Sequence, residues 1–137
     1  MASELTAPEL TVPETVRPKR ILSIDDDPIL RRLVQMGLQK AGYETVVANN
    51  GAQARELLAQ EPVDAILVDL MMPVMDSLRF LQWLRGEANS KVPALVFTST
   101  LVPEILGSAR QAGATDILTK PLRMEQLLAN LRGVLGD

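Results

Sequence analysis

The chain has 137 residues, 47% hydrophobic and 23% charged, with a net charge of −3; this suits one compact domain with a real core and no second one, and it lacks the basic surface that displaces counterions from nucleic acid. Cysteine and histidine are both absent, which excludes disulfides, thiolate zinc sites, Ser-His-Asp and Cys-His catalysis, and a phosphohistidine on this chain. No apolar run approaches the roughly 18 residues of a membrane span, and Glu4 interrupts any signal-peptide pattern, so a cytoplasmic location and no membrane partner are expected.

The first 18 residues differ from the rest: Glu recurs at 4, 9 and 14 and Pro at 8, 13 and 18, a five-residue period too short and polar to build a packed layer. A flexible arm is expected over 1–18, either a solvated tail or a docking peptide, followed by a folded domain over 19–137.

"RILSI" (20–24) reads as a strand, and "PILRRLVQMGLQKAG" (28–42) places Leu30, Leu33, Val34, Leu38 and Ala41 on one helical face, with Gly42 just past the helix end. "YETVVA" (43–48) precedes a helix from about Ala52 to Gln60, and "DAILVD" (64–69) precedes one from about Ser77 to Arg85. "ALVFTS" (94–99) leads to a helix of about 103–112 closed by Gly113. "DILT" (116–119) leads to "RMEQLLANLRGVL", where Met124, Leu127, Leu128, Leu131 and Leu135 share a face. Five β-α units result, and four of the five strands are nearly all apolar, as strands covered on both faces by crossover helices are. The fold expected is α/β: a parallel sheet in a doubly wound sandwich, with the second strand, which carries Glu44 and Thr45, at an edge.

In such a sheet ligands bind beyond the carboxyl ends of the strands. The first strand ends in Asp25 and Asp26, the third in Asp69, the fourth in Thr98 and Ser99, and the fifth in Lys120. Two unit charges about 5 Å apart at an effective dielectric of about 20 repel by roughly 3 kcal/mol, so "SIDDDP" (23–28) calls for a positive partner. Asp27 before Pro28 has a complete local explanation as an N-cap followed by a proline at the first helical position. Taken singly, Asp25 and Asp26 fit a solvated acidic turn, Asp69 a turn start, Lys120 a surface lysine and Thr98 an ordinary strand residue. Together on one rim, three carboxylates and an ammonium suit a hard divalent cation and a phosphoryl group, because Mg²⁺ takes oxygen ligands and an Asp carboxylate is a competent nucleophile toward phosphorus.

"ILSIDDDP", "ILVDLMMPVMD", "LVFTST" and "AGATDILTKP" resemble the successive signatures of the response regulator receiver domain of two-component signalling, over about residues 19–136. The resemblance implies a flavodoxin-like sandwich of five parallel strands in the order 2-1-3-4-5 with five helices, and a cis Lys120-Pro121 bond. It implies Asp69 as phosphoryl acceptor and metal ligand, Asp25 and Asp26 as the acidic pair for Mg²⁺ (Mn²⁺ as substitute), the Met71 backbone carbonyl as a further metal ligand, Thr98 on a phosphoryl oxygen, and Lys120 paired with the phosphoryl group. The implied donors are a histidine kinase, a histidine phosphotransfer protein or a small phosphodonor. Output would come as protein contact through the face of the fourth helix, fifth strand and fifth helix, which also offers a route to a homodimer. Such a chain is a switch rather than an enzyme turning over a substrate.

Two departures stand out. Ile117 occupies a position where relatives often carry Tyr or Phe, leaving Thr98 as the main switch residue, and Ser77 replaces the usual glycine in what reads as the loop before the third helix. Met71 and Thr100 flank the acceptor and the threonine without an amide or acid to position water, so a persistent phosphoryl group is expected. Two other readings compete with this one. A phosphatase of the haloacid dehalogenase type would use Asp25 and Asp27 but needs a longer chain and leaves Asp69 idle; a receiver-like binding module, or a receiver fragment of a larger regulator or hybrid kinase, is the nearer alternative.

Overall fold

A computed structural model describes residues 17–70 and 74–136. Most of the expected arm, residues 1–16, lies outside the described residues, as does Met71. Five strands, β1 (Arg20–Ile24), β2 (Glu44–Ala48), β3 (Ala65–Asp69), β4 (Ala94–Thr98) and β5 (Asp116–Thr119), alternate with five helices, α1 (Pro28–Lys40), α2 (Gly51–Gln60), α3 (Val74–Arg85), α4 (Pro103–Ala112) and α5 (Met124–Leu135). The strands form one sheet in the order β2-β1-β3-β4-β5, and every pairing is parallel. β2 lies at an edge, as its polar residues imply.

Alternation along the strands divides the core into two layers. Leu22, Ile24, Ile66, Val68 and Val96 pack with Ala54, Phe80, Leu81 and Leu84 beneath α2, α3 and α4. Ile21, Leu67, Leu95 and Phe97 pack with Val34, Leu38, Leu127 and Leu131 beneath α1 and α5. Each fully buried Leu, Ile or Phe contributes about 1.5–3 kcal/mol, so β1, β3 and β4, apolar on both faces, form the keel of the sheet.

The sequence reading differs from the structure at four places. β5, the other edge as the order 2-1-3-4-5 implies, is not covered on both faces: only Leu118 of its four residues is buried. On α1 the buried face is narrower than the periodicity implied: Val34 and Leu38 are buried, but Ala41 is exposed and Leu33 is 59% exposed. A second apolar stripe of Ile29, Leu33 and Met36 runs along its outer side; a period of 3.6 cannot say which of two apolar faces meets the sheet. α3 begins at Val74 rather than near Ser77. Ser77 is therefore a buried helical residue, not part of a loop needing positive φ.

Local signals fix the helix ends. Asp27 caps α1, its side chain accepting from the backbone N–H groups of Ile29 and Leu30, with Pro28 opening the helix. Gly42, at φ +100°, turns the chain into β2 in the left-handed region that glycine enters without cost to a Cβ. The Lys120-Pro121 peptide bond is cis.

Candidate metal and phosphoryl site

The carboxyl ends of β1, β3 and β5 bring the acids and the lysine together. β1 and β3 are adjacent, with Ile24 opposite Val68, so the residues that follow, Asp25 and Asp69, meet at one edge. Both carboxylates are buried. One carboxylate oxygen each from Asp25, Asp26 and Asp69 lie within 4.8 Å of one another, with Asp26 exposed at the mouth. Asp27 is not in this group; it serves the helix cap, in keeping with its local signature.

Lys120 reaches in from the end of β5, its Nζ 3.1 Å from Asp69 Oδ1. Its ammonium also lies 5.3 Å from the centroid of the Phe97 ring, which provides an apolar, electron-rich floor for the aliphatic stem and the charge. Backbone pairing sets this reach, since Lys120 donates its N–H to Thr98 O at 2.8 Å and is thereby held to β4.

One ammonium does not balance three acids, and the electrostatics record the deficit. Burial, a hydrogen bond shared with the Asp69 side chain and the Asp69 charge push the Asp25 carboxyl up to about 7, against the lowering effects of the Asp27 backbone N–H and of Lys120. Asp25 Oδ1 accepts from Asp27 N at 2.8 Å, whereas Asp25 Oδ2 is buried with no donor turned toward it among the described residues. A buried carboxylate oxygen without a donor costs free energy, and a proton shared with Asp69 or an oxygen-seeking cation would satisfy it. Three carboxylates, no nitrogen or sulfur ligand and an acceptor left over make a donor set that fits a hard divalent cation.

Thr98 is buried at the end of β4, and its Oγ1 accepts from Thr100 N at 3.0 Å. That contact shapes the start of the loop that carries the exposed Leu101 and Val102. Ile117, opposite Val96 on β5, is half-buried against the layer beneath α2, α3 and α4. In the strand alternation Thr98 is in step with Val96, so the threonine and the isoleucine neighbour that same layer rather than the α1 and α5 side.

Two contributors were not found by sequence reading. Ser77 Oγ donates to Asp69 O at 3.0 Å, tying α3 to the acidic strand end. Arg31 on α1 donates to Asp25 O at 3.0 Å and also bonds Asn49, bringing a guanidinium to the back of the acidic turn. Neither contact has a sequence signal, because each acceptor at the acidic strand ends is a main-chain oxygen.

An open parallel sheet with an acidic cluster and a lysine on its carboxyl rim defines the class, an α/β signal-receiver sandwich. The chain belongs to the response regulator receiver domain family, whose model matches residues 21–132. It is 37% identical over 116 residues to the response regulator MprA of Mycobacterium leprae, covering 85% of this chain and 50% of that protein. MprA of Mycobacterium tuberculosis is 36% identical over the same share. The chain thus spans about half the length of these curated relatives. Among solved structures, the chemotaxis protein CheY4 of Vibrio cholerae superposes with a TM-score of 0.80 at 34% identity, covering 86% of this chain and 99% of that one. The receiver domain of the Francisella response regulator 1452 gives 0.78 at 26% identity, covering 86% and 97%. No described helix is long and apolar enough to cross a membrane.

Proposed function

We propose that this receiver domain works as a phosphorylation-activated switch with Asp69 as acceptor. A carboxylate oxygen of Asp69 attacks phosphorus as the phosphorus–nitrogen bond to a phosphohistidine breaks; the imidazole leaves with the electron pair and takes up a proton. Lys120, already 3.1 Å from Asp69, pairs with a phosphoryl oxygen and stays within reach of the acyl phosphate. Asp25, Asp26, Asp69 and the Met71 carbonyl would hold Mg²⁺, with Mn²⁺ as substitute, and the ion would supply positive charge against the phosphoryl oxygens. The observation that carries this reading is the cluster of three carboxylate oxygens within 4.8 Å beside the lysine.

The proposed donor is a separate histidine kinase or phosphotransfer protein, or a small phosphodonor. Thr98 then follows a phosphoryl oxygen and draws the β4–α4 loop with it, changing the α4–β5–α5 face. Ile117 has no hydroxyl and a short side chain, so it follows rather than leads. We place the output in protein contact at that face, with a downstream protein or a second copy as partner, and the protein in the cytoplasm. The chain as a whole, at a net charge of −3, has no excess of basic residues to displace counterions, which argues against direct nucleic-acid binding.

The test is incubation with Mg²⁺ and beryllofluoride, followed by NMR. Shifts spreading from Asp69 to Thr98 and Ile117, abolished by Asp69→Asn, support the switch. A protein indifferent to both reagents that keeps partner affinity in Asp69→Asn would instead be a phosphorylation-independent binding module.

A further inference from the structure

The far side of the molecule from α1 carries a groove that the phosphoryl chemistry does not use. Between α2 and α3 a cavity of 330 Å³ is walled by Leu58, Pro62, Val63 and Trp83. It continues toward the start of α2 into a second cavity of 380 Å³ that adds Arg79, and Arg55 and Trp83 line both. The Arg55 guanidinium lies 4.7 Å from the Trp83 ring, and its ion pair with Glu87 is long, at 4.0 Å, and exposed. An aromatic wall flanked by two guanidiniums suits an extended, apolar and acidic peptide.

Such a segment enters the fold beside the groove. β1 starts at Arg20, whose guanidinium donates to Pro62 O at 3.5 Å and pairs with Glu61. Pro62 is itself part of the groove's lower wall. In the strand alternation Arg20 is in step with Leu22, which packs beneath α2, α3 and α4, so the Arg20 side chain at the start of β1 lies on the groove side. Residues 1–16 contain Glu4, Glu9 and Glu14 and no lysine or arginine. Interleaved with them are Leu5, Leu10, Val12 and Val16, and Pro8 and Pro13 each fix one φ, which lowers the entropy lost on docking. At about 3.1 Å per residue the segment spans roughly 50 Å, whereas the groove follows α3 for only about 18 Å, so length is no obstacle.

We propose that residues 1–16 of this chain fold back into the α2–α3 groove, laying their leucines against Trp83 and their glutamates beside Arg55 and Arg79. Asp76 at the upper end repels the acidic segment and sets where it stops. The other exposed apolar strip, Ile29, Leu33 and Met36 on α1, lies across the sheet from the side that Arg20 faces. This inference is independent of phosphoryl transfer and stands or falls by itself.

The chain has no cysteine and one tryptophan, so a nitroxide on Ala7→Cys in the full-length protein reports its own position against the single Trp83 indole N–H in NMR. The expected result is loss of that indole signal and of amide signals along the groove, unchanged on dilution and restored when Glu4, Glu9 and Glu14 are all changed to Lys. A label on Thr11→Cys should broaden the same region. Broadening centred on Ile29, Leu33 and Met36, or none at either label position, overturns the proposal. So does broadening that survives the three Glu→Lys changes, or that arises only between labelled and unlabelled copies.

Discussion

Ser77 Oγ hydrogen-bonds the main-chain oxygen of Asp69 at 3.0 Å, so the helix that follows the acidic strand is fastened to the residue at its centre. Ser77 is fully buried, and its hydroxyl has no water to turn to if the bond is broken. Ser77→Ala removes the donor and should lower stability by about 1 kcal/mol, read as a lower urea midpoint at unchanged slope. Ser77→Gly should cost roughly 0.5–1 kcal/mol more through backbone entropy within α3.

The acidic pocket makes the metal-free protein pH-sensitive in an uncommon direction. The folded Asp25 carboxyl sits at about 7 against an ordinary value of 3.8, mainly through burial and then through Asp69. Between those values the folded state binds more protons than the unfolded state. This contribution to stability is therefore full below the ordinary value and is lost as pH rises through about 7. Urea midpoints in a chelator should fall across that window from this group, and Asp25→Asn should flatten the fall.

Lys120→Met should be the most damaging change at the site above neutral pH. Asp69 is 1% exposed and Lys120 is 18% exposed, so loss of the ammonium leaves a buried carboxylate uncompensated, at about 3 kcal/mol. Lys120 also lowers the Asp25 carboxyl, so its removal should move the Asp25 titration, followed by the carboxyl carbon resonance in NMR, to higher pH.

Added Mg²⁺ should raise the urea midpoint of the unmodified protein, because a ligand bound only by the native state stabilises it in proportion to the logarithm of its concentration. Asp26→Asn should weaken this response while changing the midpoint in chelator little, since Asp26 is exposed. An equal response in both proteins would place the ion elsewhere.

The joint between α4 and β5 lies away from the acidic rim. Gly113 has φ +120°, and a Cβ there would lie 2.4 Å from Arg85 Cγ. Arg85 holds that joint through main-chain oxygens, donating to Gly113 O at 2.8 and 3.0 Å and to Val92 O at 2.6 Å. Gly113→Ala should therefore cost about 2 kcal/mol, through backbone strain and the displaced guanidinium, measured as a fall in thermal midpoint.

What could be read from the sequence follows from which interactions leave a local trace. The runs in β1, β3 and β4 announce two-sided burial, and Asp27-Pro28 announces a cap, because each signal lies within a few residues of its effect. The rim of Asp25, Asp26, Asp69, Thr98 and Lys120 was legible because strand ends of a parallel sheet share one edge whatever the loops do. Arg85 was illegible: its partners are carbonyls, which every residue has. Leu33 was misread for a related reason, since periodicity finds an apolar face but not what covers it, and the start of α3 was missed because Val74 and Met75 read as the tail of a loop motif.

The Arg85 anchor gives α4 two unlike ends. At its carboxyl end Gly113 is clasped by a guanidinium, while at its amino end Val102 has no side-chain cap and Leu101 is 71% exposed. A rod pinned at one end swings most at the other, so displacement of α4 should grow from Ala112 toward Pro103. Amide exchange along the helix should form a gradient, slowest beside the clasp and quickest where the rod meets the threonine strand.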